Sequence, residues 1–140
     1  MVKDFEFFLK KGEVKRQSPN RNLSSSTFKE SLERIEFAKQ LLHKAKPKYV
    51  LENAYEAMRE AADSALYLKG FKSFSHEASI VYLIKEDFNE KEIMEFDRFR
   101  KIRNGIKYYG KDCDLMDAEQ AIKLADEVIG KIKEKIRFKG

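Results

Sequence analysis

The 140-residue sequence holds one cysteine, Cys113, and no tryptophan. A single thiol closes no internal disulfide and cannot build a cysteine-rich zinc centre, which fits a reducing compartment. The two histidines, His43 and His76, lie too far apart for metal-ligand spacing, so no metal and no other cofactor is implied. Two prolines and six glycines exclude collagen-like and linker character. The longest apolar run, Ile80 to Ile84, is far short of the roughly 20 residues of a membrane span. The start, Met1-Val2-Lys3-Asp4-Phe5, carries an early acid and lacks the apolar stretch of a secretory leader. A glycine-rich phosphate loop, HExxH and Gly-x-Ser-x-Gly are also missing. These absences point to a soluble cytoplasmic protein with no membrane partner.

Charge is plentiful: 38% of residues are charged, against roughly 25% in an average domain. Lys plus Arg is 29 and Asp plus Glu is 24, a net +5 that permits phosphate contacts without requiring them. Hydrophobic residues reach 42%, enough for one packed core.

Helical periodicity runs through almost the whole chain and strand signals are poor. A short helix is expected over Val2–Lys10, ended by Gly12, followed by a polar loop from Lys15 to Ser26. Ser26 is the expected cap of a second helix whose stripe is Phe28, Leu32, Ile35 and Leu42. Pro47 suits the first turn of a third helix reaching Lys69, with Leu51, Ala54, Met58, Ala61, Ala65 and Leu68 on one face and Gly70 as its stop. A turn over residues 71–74 leads to a fourth helix capped by Ser75. A fifth helix starts near Asn89 and ends at Gly110. Asp117 to Gln120 reads as the capped start of a last helix carrying Ala118, Ala121, Ala125, Val128, Ile132 and Ile136. The expected architecture is an all-α, up-and-down bundle of four or five main helices at 24–140, preceded by a short helix and polar loop at 1–23.

The chemistry-bearing segment is the end of the fifth helix, Arg98 to Gly110. Phe99, Ile102, Ile106 and Tyr109 are read as one apolar face. Arg100, Arg103, Asn104 and Lys107 form an adjacent cationic stripe, with Tyr108 one turn beyond Asn104. Guanidinium groups bind phosphate bidentately and tyrosine rings stack on bases. Gly105 is costly in a helix by roughly 1 kcal/mol relative to Ala and suggests close approach by a backbone or ligand. Asn104 is better explained by side-chain hydrogen bonds than by helix propensity. The bland alternative is a solvated basic face with its arginines paired to acids. Cys113 lies between Asp112 and Asp114, which disfavour its thiolate, so it is a poor nucleophile. The cations from Lys131 to Lys139 read as a solvated helix face or a tail brushing nucleic acid.

The segments Ala54 to Leu66 and Gly70 to Ser79, followed by Arg103-Asn-Gly-Ile-Lys-Tyr-Tyr-Gly110, resemble the HEPN domain (higher eukaryotes and prokaryotes nucleotide-binding). The resemblance covers about Ser24 to Lys133. It implies a bundle that usually forms a symmetric homodimer with the late helix near the interface. Many members are metal-independent ribonucleases, often toxins paired with a nucleotidyltransferase antitoxin; others bind RNA or nucleotides without cutting. The family motif is an arginine, often a polar residue after it, and a histidine four to six residues further on. Arg103 and Asn104 match its start, and the histidine position falls at Tyr108 or Tyr109. Tyrosine, with an ordinary pKa of about 10 against about 6.5 for histidine, is a weak proton shuttle near pH 7. The resemblance therefore implies RNA or nucleotide binding through Arg100, Arg103, Asn104, Lys107, Tyr108 and Tyr109, or docking of a nucleotidyltransferase. If cleavage occurs, Arg103 and Tyr108 are its expected carriers, with His76 as a substitute imidazole and His43 a remoter one. A structural dimerisation module is the third reading.

Overall fold

The computed structural model describes residues 3–139 and is an all-α helical bundle. Four long helices, α2 (Arg21–Leu41), α3 (Pro47–Lys69), α5 (Glu90–Tyr109) and α6 (Leu115–Lys139), are joined by two short ones, α1 (Phe5–Lys10) and α4 (His76–Tyr82). A 3-10 turn over Leu83–Glu86 follows α4. The central helix is α3, packed by α2 and α6 and touched by α4 and α5.

The sequence reading holds best for α3. Pro47 opens it at a position whose N–H needs no partner. Gly70 closes it with φ 86°, and its N–H returns to the Leu66 and Tyr67 carbonyls. A Cβ at Gly70 would lie 2.6 Å from the Gln17 carbonyl oxygen, so the site demands glycine for space as well as for conformation. Of the expected stripe, Leu51, Ala54, Met58, Ala61 and Ala65 are buried and Leu68 is half-buried. Asn89 and Glu92 make the reciprocal capping box of α5, and the Ser75 side chain caps α4.

Helix α2 packs differently from its apolar stripe. Phe28 and Leu42 are only half-buried and Leu32 is exposed. The face against α3 is instead Ser24, Ser31, Ile35 and Ala38, all buried. Ser24 Oγ donates to the Ser64 carbonyl at 2.6 Å, and Ser31 Oγ donates to the Ala57 carbonyl at 2.7 Å. Small residues spaced by seven on both helices let the backbones approach, and the hydroxyls reach the facing main chain. This seam was hidden because serine reads as polar in a periodicity count.

Four further expectations are corrected. Helix α2 starts at Arg21 with Asn20 as its cap, accepting from Leu23 N–H, so Ser26 lies inside it and the helix crosses the boundary drawn at 23/24. The polar loop from Lys15 holds a strand, β1 (Val14–Arg16), paired antiparallel with β2 (Phe71–Ser73), where a turn was expected. The pair is Val14 to Ser73, Lys15 to Lys72 and Arg16 to Phe71. Strands of three residues are too short to show alternation. The last helix is capped by Asp114, whose Oδ1 accepts from Asp117 N–H while Asp117 Oδ2 accepts from Asp114 N–H; Asp117 is thus the return partner of the box. The first helix begins at Phe5 with Asp4 as its cap, and Val2 lies outside the described residues. No helix among the described residues is long and apolar enough to cross a membrane.

Candidate functional site

Helix geometry explains where Arg103 goes. At about 100° per residue, four residues after Phe99 is only about 40° away from it, on the side of Phe96. Phe96 and Phe99 face the core, so Arg103 turns inward with them and is only 6% exposed. Tyr109, ten residues after Phe99, sits about 80° away in the other direction. It leaves the apolar face on which it was expected and is 76% exposed. Ile102 and Ile106 are partly buried against the core.

Arg103 meets a polar ladder on α3. Glu56, Arg59 and Asp63 lie at i, i+3 and i+7 on one face of that helix. Arg59 donates through Nη2 to Glu56 Oε2 at 2.9 Å and through Nη1 to Asp63 Oδ2 at 2.7 Å. Ser79 on α4 donates to the other Asp63 oxygen at 2.7 Å. Arg103 Nη2 approaches Glu56 Oε1 to 3.4 Å, close enough to pair charges but without hydrogen-bond geometry. Among the described residues, two buried side-chain atoms are left without a hydrogen-bond partner, Glu56 Oε1 and Arg103 Nε. Arg103 Nη1 donates to Asn104 Oδ1 at 3.3 Å, which accounts for an asparagine in mid-helix.

Tyr55 stands beneath this group. Its ring lies 5.8 Å from the Arg103 guanidinium and is stacked with His76 at 5.9 Å, and its hydroxyl is 2.9 Å from His76 Nδ1. Burial raises the Tyr55 pKa, so the phenol stays protonated at neutral pH. Burial and then the Arg59 charge push His76 down to about 4, leaving a neutral imidazole. Burial works against the Glu56 carboxylate, but the Arg59 hydrogen bond and the charges of Arg59 and Arg103 outweigh it and hold the pKa low. Asp63 moves the other way: burial raises it despite Arg59 and Ser79.

The remaining candidates divide between this cluster and the solvent. Arg100 is tied to Asp97 Oδ1 at 2.6 Å and pairs with Glu77 at 3.6 Å, so it belongs to a charge-balanced network. Lys107 is exposed, and Tyr108 is 63% exposed. The Tyr108 ring lies 5.9 Å from both the Arg103 guanidinium and the Lys107 ammonium. Arginine, amide and phenol therefore stay together, but as a step from the interior to the surface rather than lining an enclosed cleft. What approaches Gly105 is the Lys111 side chain, 3.2 Å from where a Cβ would be.

A groove of about 510 Å³ opens beside the cluster between α4 and α5, lined by Glu77, Met94, Asp97, Arg98, Arg100 and Lys101 among others. His76, carried by the sequence only as a substitute imidazole, shares the Tyr55 ring with Arg103 in the fold. The local signal was the Ser75 cap, which fixes the first turn of α4; its approach to Tyr55 depends on helix packing that spacing does not encode. His43 sits in the turn between α2 and α3 with φ 67°. Burial and then Asp117, Asp112 and Asp114 push the Cys113 thiol up to about 11, away from a nucleophile's range. In the C-terminal run, Lys131 pairs with Glu92 at 2.9 Å and Lys135 with Asp87 at 2.6 Å; side chains beyond residue 136 lie outside the described residues. Compared with protein-family models and with curated proteins, the chain matches none of them.

Proposed function

We propose that this is a HEPN-like cytoplasmic domain, working as a homodimer, that binds RNA or a nucleotide at the C-terminal end of α5 and is not an efficient nuclease. The observation that carries the reading is the exposed Tyr108 ring with two cationic groups, Arg103 and Lys107, each 5.9 Å from it. An aromatic face offers a stacking surface for a base, and the adjacent cations neutralise the flanking phosphate. Docking of a nucleotidyltransferase partner at the same helix end is compatible with this reading.

One observation favours a ribonuclease instead. His76 shares Tyr55 with Arg103 and is neutral near pH 7. With Nδ1–H donating to the Tyr55 oxygen, Nε2 would be free to take the 2′-hydroxyl proton while Arg103 stabilised charge on the phosphorus oxygens. Anisotropy titrations with a short labelled single-stranded RNA, alongside a cleavage assay in chelator, separate the two. Binding predicts salt-dependent affinity weakened about tenfold in Tyr108→Ala and no product. A product abolished by both His76→Ala and Arg103→Ala would replace binding with catalysis. No RNA affinity at low salt, or affinity unchanged in Tyr108→Ala, refutes the α5 site.

A further inference from the structure

The ion pairs of the described residues lie mostly between Glu30 and Asp63 and between Glu77 and Lys135. No ion pair among the described residues involves the two-stranded ribbon, although three of its six residues are cationic. Lys15 on β1 and Lys72 on β2 are directly opposed in register. Like charges facing each other across a ladder are destabilising, so a fold serving stability alone has no use for this pair. Phe74, one residue past β2, is 61% exposed. Its N–H donates to the Glu13 carbonyl at 2.8 Å, which extends the ribbon and fixes the backbone under the ring. Lys15 Nζ lies 5.8 Å and Lys72 Nζ 5.9 Å from the centre of that ring. Lys72 also donates to the Tyr67 hydroxyl at 2.9 Å, and Arg16 lies 5.3 Å from the Phe71 ring. Asp63, whose carboxylate senses Lys72, is already held by Arg59 and Ser79.

We propose that this ribbon is a second nucleic-acid site, on which one base of a single strand stacks against Phe74 while Lys15 and Lys72 neutralise the phosphates on either side. A positively charged surface with an aromatic platform is the recurring design for single strands, because every base has a π-face and stacking tolerates any sequence. The chemistry favours a nucleic acid over a lipid surface. Membrane insertion rewards several apolar side chains side by side. Here one exposed ring stands between two ammonium groups, and Phe71 and Tyr67 are half-buried under Arg16 and Lys72. The ribbon site does not depend on the α5 site.

The test is an anisotropy titration of a labelled single-stranded RNA decamer against the full chain, with thermal melts of every variant. Phe74→Ala is expected to weaken binding about tenfold. Lys15→Glu turns the opposed pair into one of opposite sign, so it is expected to hold or raise the melting temperature while weakening RNA binding. Lys15→Ala with Lys72→Ala is expected to flatten the slope of log affinity against log salt by about 1.4 for single-stranded RNA. Ribbon variants that bind like wild type while Tyr108→Ala is impaired overturn the ribbon site and leave the α5 reading standing. The reverse pattern overturns the α5 reading and leaves the ribbon site. Loss of affinity only in variants that also melt early overturns the ribbon site as a folding artefact. Phe74-dependent sedimentation with phosphatidylserine vesicles, without RNA binding, overturns it in favour of a membrane surface.

Discussion

Replacing Arg103 by alanine separates its structural role from its role toward a ligand. At 3.4 Å from Glu56 Oε1 the guanidinium gains an attraction of roughly 5 kcal/mol at an effective dielectric constant near 20. Against this stand several kcal/mol for taking the cation out of water and about 1–3 kcal/mol for an Nε–H with no acceptor. Glu56 is also not abandoned by the change, because Arg59 continues to donate to its other oxygen at 2.9 Å. These terms nearly cancel, and the lost packing of the buried arginine stem leaves an expected net loss of about 1–2 kcal/mol, well short of the roughly 3–5 kcal/mol seen when a buried pair is broken outright. In a chain of this length that lowers the melting temperature by about 3–8 °C. RNA affinity is expected to fall about tenfold or more, the worth of one well-placed charged contact. Urea unfolding followed by circular dichroism, beside the RNA titration, measures both quantities on one preparation. A loss above about 4 kcal/mol would make Arg103 a structural pillar and refute the balance drawn above. A gain in stability, or an unchanged affinity, would equally refute it.

Two further outcomes follow from the geometry. Because His76 is held near 4 in the fold and titrates near 6.5 when unfolded, the unfolded chain takes up the proton first as the solution is acidified. Stability is therefore expected to fall between about pH 6.5 and 4, by about 1–2 kcal/mol once solvent screening of this half-exposed ring is allowed for, and His76→Gln should flatten that part of a urea-midpoint profile against pH. Ala57 is fully buried in the seam with Ser31, so Ala57→Leu is expected to force α2 and α3 apart and cost about 1–3 kcal/mol or more in the same unfolding assay; a neutral result would mean the seam is not close-packed.

What was legible in the sequence is what local chemistry dictates. Pro47, Gly70, Ser75 and Asn89 mark helix ends by the hydrogen bonds or backbone angles that only such residues supply, and each marks one here. The core face of α3 was legible because its period of 3.6 is unbroken. Asn20 was passed over for Ser26 because both are good caps, and the choice between them is made by tertiary contact: Asn20 N–H donates to the Tyr67 carbonyl. The ribbon was illegible because its signal is the pairing of segments more than fifty residues apart. Within the candidate site, Arg103, Asn104 and Tyr108 do share a neighbourhood. The direction of Arg103 was misjudged, since an arginine is assumed to seek water unless an acid awaits it inside. Glu56, supplied by another helix, is that acid, and nothing near Arg103 in the chain announces it.

The α2–α3 seam has a consequence for how the chain finds its alignment. Ser24 and Ser31 face Ser64 and Ala57 on a common spacing of seven, so sliding one rod along the other by seven residues again sets a serine against a small residue. Such a scale has marks but no zero. The zero is set at the two extremities: by the five-residue connection from Leu42 to Lys46 at one end, and at the other by the main-chain ties from Gln17 to Gly70 and from Asn20 to Tyr67. Lengthening that connection or cutting those ties leaves the middle of the seam untouched and yet frees it to settle one notch away.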